Sequence, residues 1–184
     1  IPVHWKDSKI NLLDTPGYAD YRGEVVSGFR AADGAILMVS APAGIEVGTI
    51  QMWQMAQDQN IPRILVINKL DRENADFEQV LDTIVESFGR ECVPVQLPIG
   101  SEADFIGVIN LLDPSSDVPT GLGDEVEDAR ERLIEAAAES DDELAEKYLE
   151  GEEITQEELI RGLRAGLRSG DFVPVLFGAS QMSI

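Results

Sequence analysis

Cysteine and histidine each occur once in the 184 residues, and basic residues are scarce: 14 lysines and arginines stand against 35 aspartates and glutamates. A single thiol, Cys92, excludes an internal disulfide and reads as a small buried apolar side chain, the usage of a reducing cytosol. His4 lies in an expected strand and reads as structural. The net charge of −21 argues against direct nucleic-acid binding, because phosphates would be repelled. The same imbalance favours basic partners or high solubility. No apolar run approaches membrane-spanning length and no signal peptide is visible, so a cytoplasmic location without a membrane is expected. Internal repeats are absent too.

What is present is an ordinary apolar fraction of 43%, enough for one sizeable core, or a core plus a small appended unit. The chain opens at Ile1 inside an expected strand, without a methionine, and stops as abruptly at Ile184. It reads as a piece cut from a larger protein.

Pro2–Trp5 and Lys9–Leu13 read as short strands joined by the turn Lys6-Asp7-Ser8. Val25, Val26, Phe29 and Ala32 lie at helical spacing within Tyr18–Ala32. Ala35–Ala41 and Ile61–Asn68 are apolar runs of the kind buried on both faces of a sheet. Between them Ala43–Gln59 predicts a helix, with Ile50, Met52, Trp53 and Met55 available to the core. Phe77, Val80, Leu81, Ile84 and Phe88 form the cleanest amphipathic pattern. Strands and helices alternating at this spacing predict an α/β fold with a mostly parallel, doubly wound sheet.

The pattern changes after residue 91. Cys92–Ile99 and Phe105–Leu112 predict two strands of a hairpin, Asp113–Asp124 a loop, and acid-rich helices follow over Glu125–Glu139, Asp141–Leu149 and Gln156–Ser169. Ser140…Glu143 and Thr155…Glu158 have capping-box spacing. Phe172–Phe177 returns to a buried strand and ends in Gly178-Ala179-Ser180. The expected organisation is therefore 1–91 as the main domain, 92–170 as an inserted α+β unit, and 171–184 as the last strand and loop of the main domain.

Two constellations carry chemistry. In the first, an expected buried strand ending at Leu13 runs into Asp14-Thr15-Pro16-Gly17. Pro16 biases Thr15 away from helix, and Gly17 lets backbone approach a ligand closely. Asp14 is placed to hold a magnesium ion through water, and the Gly17 amide to meet a terminal phosphate. The second is Asn68-Lys69-Leu70-Asp71, again after an apolar run. The Asp71 carboxylate can accept from both N1–H and the N2 amino group of guanine, a donor pair that adenine lacks. Lys69 can lay its stem along the purine face. Asn68 would tie its loop to Gly178–Ser180, whose amides can reach guanine O6. Each constellation alone is also compatible with an ordinary loop. Together, each at the end of its own strand, they look like the magnesium/γ-phosphate loop and the guanine-reading loop of a GTPase. A metabolic nucleotide-binding domain without guanine preference is the unrelated alternative.

Asp14–Gly17 with Asp20, Ala31–Ala35, Gly44, Pro62-Arg63, Asn68–Arg72 and the inserted unit together resemble the translational GTPases, most closely elongation factor G. Pro94–Gly100, Phe105–Leu112 and Glu146–Glu153 resemble its inserted G-prime subdomain. The resemblance implies a phosphate-loop GTPase fold, truncated at its N-terminus. It implies GTP or GDP with Mg2+ as ligands and hydrolysis on the ribosome in translocation or recycling. It assigns GTP contacts to Asp14, Thr15, Pro16, Gly17, Asn68, Lys69, Asp71, Gly178, Ala179 and Ser180, with Asp14 at the metal.

Three departures qualify it. The phosphate loop and the switch-one threonine are not in the sequence, so the isolated chain is expected to be inactive. Tyr18 stands where the family's catalytic histidine would be, and a phenol cannot fully replace imidazole. The alternative function is thus a GTP-binding, ribosome-associated switch with little hydrolysis. Ala179-Ser180 replaces the family's Ser-Ala, which predicts the loss of a side-chain tie between the guanine loops. The acidic run Asp124–Glu158 reads either as a solvated face or as a docking surface for the basic stalk protein of the ribosome. Finally, the family's central strand would lie between the strand ending at Leu13 and Ala35–Ala41. Without it, those two strands are expected to pair directly, to receive another chain, or to separate.

Overall fold

A computed structural model describes residues 1–17 and 22–184. Two short strands, β1 (Pro2–Trp5) and β2 (Ser8–Asn11), pair antiparallel around a tight turn at Lys6 and Asp7. Lys6 adopts φ +50° there. Helix α1 (Arg22–Ala31) follows and buries Val25.

The centre of the molecule is a parallel sheet of four strands, ordered β3 (Ala35–Ser40), β4 (Arg63–Asn68), β8 (Val173–Phe177) and β5 (Cys92–Pro94). Leu65, Ile67 and Val175 on the inner strands are wholly buried. Helices α2 (Val47–Asp58) and α3 (Phe77–Phe88) supply Trp53, Val80, Ile84 and Phe88 to the same core. The α3 start is set by Asp76, whose carboxylate accepts from the Gln79 N–H at 3.0 Å.

A second core lies beside it. Strands β6 (Gln96–Ile99) and β7 (Gly107–Asn110) form an antiparallel hairpin. Ile109 and Leu111 meet Val126, Leu133 and Ala137 of α4 (Gly123–Ala138), Leu144 of α5 (Asp142–Glu150), and Leu159 and Leu163 of α6 (Gln156–Ser169). A Cβ at Gly162 would come 2.8 Å from the Ala137 carbonyl oxygen, so α6 packs this closely on α4 only with glycine there.

Several expectations are corrected. The run Cys92–Ile99 is not one strand: it divides at Val95, with β5 joining the parallel sheet beside β8 and β6 joining the hairpin. Val95 is held at the junction, its N–H donating to Val175 O at 3.0 Å. Helix α2 begins at Val47, and Ile50 faces solvent at 51% exposure while Trp53 and Ala56 point inward. Ser140 does not cap α5. Asp141 does, accepting from the Glu143 and Leu144 amides, while the Ser140 hydroxyl bonds back to Ala136 O. The Thr155–Glu158 capping box forms in both directions.

The strand before Asp14 is not buried. Every residue of β1 and β2 is exposed, Leu13 is 54% exposed, and the hairpin pairs only with itself among the described residues. Of the three outcomes expected for the gap, this is the separation. β3 is left as a sheet edge with Ile36 and Met38 open to solvent.

Candidate functional site

The parallel register sets the C-terminal ends of β4 and β8 side by side, Ile67 opposite Phe177. Open α/β sheets bind ligands at that edge. The chain leaves β4 at Asn68 and β8 at Gly178, and the two exits are joined. Asn68 Oδ1 accepts from the Lys69 N–H at 2.8 Å and the Ser180 N–H at 3.0 Å. Its Nδ2 donates to Ser180 Oγ at 2.5 Å. Gly178 donates to Ile67 O at 2.9 Å, and Leu70 donates to Gly178 O at 3.3 Å.

The expected loss of a side-chain tie is therefore overturned: Ser180, one position later, makes it. The hydroxyl sits at the start of the 3-10 turn Ser180–Met182.

Lys69 sits in the left-handed region, φ +68°, which turns its side chain outward. Leu70 is 1% exposed and plugs into the main core, so the loop is fixed between Lys69 and Asp71. Ala179 is wholly buried. Beside this loop, a hollow of about 470 Å³ is lined by Ser40, Pro42, Lys69, Arg72, Glu73 and Asn74, at the C-terminal ends of β3 and β4. A larger one, about 540 Å³, runs along the outer face of α6 between Arg161, Arg164 and Arg168, away from those strand ends. It is an open helix face, without backbone loops that could cradle a phosphate.

The first constellation is not assembled with the second. Asp14, Pro16 and Gly17 are exposed, and Thr15 is half-buried against Gly28 of α1. No hydrogen bond among the described residues joins Asp14–Gly17 to Asn68–Asp71 or Gly178–Ser180. Among the described residues no group of three histidine, cysteine, aspartate or glutamate side chains is arranged to hold a metal. Asp14 as a water-mediated ligand would need only itself and a phosphate. Tyr18 lies outside the described residues.

Sequence reasoning missed one contributor. Glu102, in the 3-10 turn Glu102–Asp104 between β6 and β7, hydrogen-bonds the Leu70–Asn74 segment. A lone glutamate in a polar loop carries no signal of the distant loop it will meet.

The elongation factor Tu GTP-binding domain, compared as a family, matches residues 1–183. The chain belongs to that family. It is 42% identical to elongation factor G of Thermotoga maritima over 191 aligned positions, covering 96% of this chain and 28% of that protein. Elongation factor G of Fervidobacterium nodosum is 40% identical, over 98% of this chain and 28% of its own length. A crystal structure of a protein from Thermus thermophilus superposes with a TM-score of 0.89 at 32% identity, covering 98% of this chain and 29% of that one. The chain thus spans 28% of the length of these curated relatives. The parallel sheet of this chain is the fold of that GTP-binding family. No helix of the described residues is long and apolar enough to cross a membrane.

Proposed function

We propose that the chain is the GTP-binding part of a ribosome-associated translation factor of the elongation factor G kind, which in its intact form hydrolyses GTP coupled to translocation or recycling. The observation that carries this reading is the joining of Asn68 to Ser180 across two parallel strand ends. It holds Lys69, Asp71 and the Gly178–Ser180 amides as one unit. Asp71 would accept from guanine N1–H and N2, and Lys69 would cover the purine face. The amides expected to reach O6 are each already donating, Gly178 to Ile67 O, Ala179 to Ile184 O and Ser180 to Asn68 Oδ1, so O6 recognition by them is not part of this reading. Asp14 would hold Mg2+ through water, the ion supplying charge neutralisation between phosphate oxygens when bound. Gly17 would donate its amide to the γ-phosphate. Thr15 and Pro16 shape that turn.

With this reading go residues 1–91 and 171–184 as the nucleotide domain and 92–170 as the inserted unit. The second apolar core, built from Val93 to Phe172, supports the division. The acidic helices of the insert would meet a basic partner such as the ribosomal stalk protein, in a cytoplasmic setting and without direct nucleic-acid contact. Titrating the intact factor with that partner at low and high salt tests this, because exposed charges are screened beyond about 8 Å at physiological ionic strength. By itself this chain is expected to bind GTP weakly or not at all and not to hydrolyse it, since the sequence holds no Gly-x-x-x-x-Gly-Lys-Ser/Thr loop.

The test is base preference in the full-length protein. Asp71→Asn should weaken GTP binding by several kcal/mol and weaken binding of xanthosine triphosphate much less, because the mutant amide offers a donor where guanine also has donors. Unchanged GTP affinity removes Asp71 from the reading. The second reading, a switch with little turnover, is favoured by Tyr18 in the sequence. Tyr18→His should then raise ribosome-stimulated GTP turnover, and an equal or lower rate rejects it.

A further inference from the structure

The tip of the β6–β7 hairpin grips the loop that contains Asp71. The Glu102 N–H donates to Leu70 O at 2.9 Å, and Glu102 Oε1 accepts from the Asn74 N–H at 2.6 Å. One residue thereby holds both ends of the Leu70–Asn74 segment. Leu70 is also held from the other side, through its own N–H to Gly178 O. Asp71 follows a residue fixed at both of its backbone polar groups.

The tip is built to stay in place. Asp104 donates to Ser101 O at 2.9 Å, Phe105 to Glu102 O at 3.2 Å, and Ile106 to Ile99 O at 3.0 Å. Phe105 is 1% exposed and belongs to the main core, whereas Ile109 and Leu111 of the same hairpin belong to the second. Gly100 has φ +78°, and a Cβ there would overlap the Asp104 carbonyl oxygen. Glu102, Lys69 and Asn74 all adopt left-handed backbone, at φ +52°, +68° and +63°. Non-glycine residues persist in that region only where surrounding contacts hold them. Lys69 and Glu102, for which that region is strained, lie in two loops that hold each other.

We infer that Glu102 is a positioning residue for the guanine-reading loop, fixing Asp71 from the inserted unit and so setting how long a bound guanine nucleotide stays. This rests on the nucleotide reading above. Glu102 acts through the Leu70 carbonyl and the Asn74 amide and makes no contact with the base itself. A displacement of the hairpin would pull on both, so the inserted unit and the nucleotide loop are mechanically one piece at this point. A role in packing alone would be indifferent to whether position 102 carries an acceptor.

The experiment measures dissociation of a fluorescent GDP analogue from the full-length protein, together with amide hydrogen exchange. Glu102→Ala should speed dissociation about tenfold, the effect of losing one well-placed hydrogen bond to an ionised group. Glu102→Gln keeps an acceptor at the same reach and should restore slow dissociation. Asp104→Asn, in the same turn, should leave the rate unchanged. In the unmutated protein the Asn74 amide should exchange slowly, a readout that needs no variant. Dissociation from Glu102→Ala at the unmutated rate, equal acceleration in the Ala and Gln variants, or a fast-exchanging Asn74 amide overturns the clamp alone. Failure of the unmutated protein to bind GDP overturns the nucleotide reading, and the role of Glu102 with it.

Discussion

The guanidinium carbon of Arg63 lies 4.2 Å from the centroid of the Trp53 ring, and Trp53 in turn stacks on Phe88 at 4.4 Å with the planes 13° apart. Arg63 is the buried charge of the main sheet, 7% exposed, at the end of β4 opposite Asn68. Burial lowers its pKa from the ordinary arginine value, while nearby Cys92 and Glu91 act the other way. Its Nε has no hydrogen-bond partner among the described residues. The side chain packs its flat face and stem on Trp53, and desolvation opposes its charge.

Arg63→Met should accordingly stay within about 1 kcal/mol of the natural sequence, since it keeps the volume and removes a desolvated charge. Arg63→Ala should lose about 2–4 kcal/mol, because a cavity opens beneath Trp53. Chemical denaturation of both variants decides. A Met variant as unstable as the Ala variant would mean that the charge itself stabilises.

Ser180→Ala removes only the Asn68 Nδ2 to Oγ bond and leaves the Ser180 N–H on Asn68 Oδ1. Asn68→Ala removes both, and frees the Lys69 amide as well. Guanine-nucleotide affinity should fall about threefold to tenfold in the first and at least tenfold further in the second, at about 0.5–1.5 kcal/mol per neutral hydrogen bond. Equal losses, measured by calorimetry on full-length protein, would contradict the geometry described here.

Cys92 is 2% exposed, and burial pushes its thiol up to about 12, with Glu91 adding to the rise and Arg63 opposing it. The thiolate is the reactive form, so the native protein should be inert to a thiol reagent at mildly alkaline pH. The unfolded protein should react fully. Fast labelling of the native state would show that β5, which holds Cys92, opens readily.

Acid sensitivity should centre on the α5–α6 contact. The Lys147 Nζ–Glu158 Oε1 pair at 2.6 Å, with the Thr155 amide and hydroxyl, holds the Glu158 carboxyl down at about 2, against an ordinary 4.5. A depressed carboxyl stabilises the fold above its unfolded pKa, and that contribution is lost as pH falls from about 4.5 through about 2. Lys147 is raised by the same bond, so its share disappears only as pH climbs past the ordinary lysine value of 10.5. Glu158→Gln should flatten the decline of stability over the acid window. A variant with an unchanged acid limb would assign acid unfolding to other carboxyls.

Local chemistry was legible in the residue order. The alternation of apolar runs with amphipathic stretches set the parallel sheet, because strands buried on both faces must be apolar throughout and helices covering them must be apolar on one side. The Thr155–Glu158 box fixed the start of α6, since capping is a local hydrogen bond. The tie from Asn68 to the Gly178–Ser180 loop could be assigned because donors and acceptors are properties of residue types.

Tertiary structure decided what depends on partners far away in the chain. Whether Leu13 is buried turned on a neighbouring strand, and without one β1 and β2 stand exposed whatever their apolar content. Whether Cys92–Ile99 is one strand or two turned on β8, which pairs with Cys92–Pro94 and leaves Gln96–Ile99 to β7. Asn68 finds the Ser180 hydroxyl 112 residues away, and Glu102 finds Asn74 across 28. Sequence spacing carries the period of a helix or strand, but closing such distances requires a folded sheet to bring the loops to the same edge.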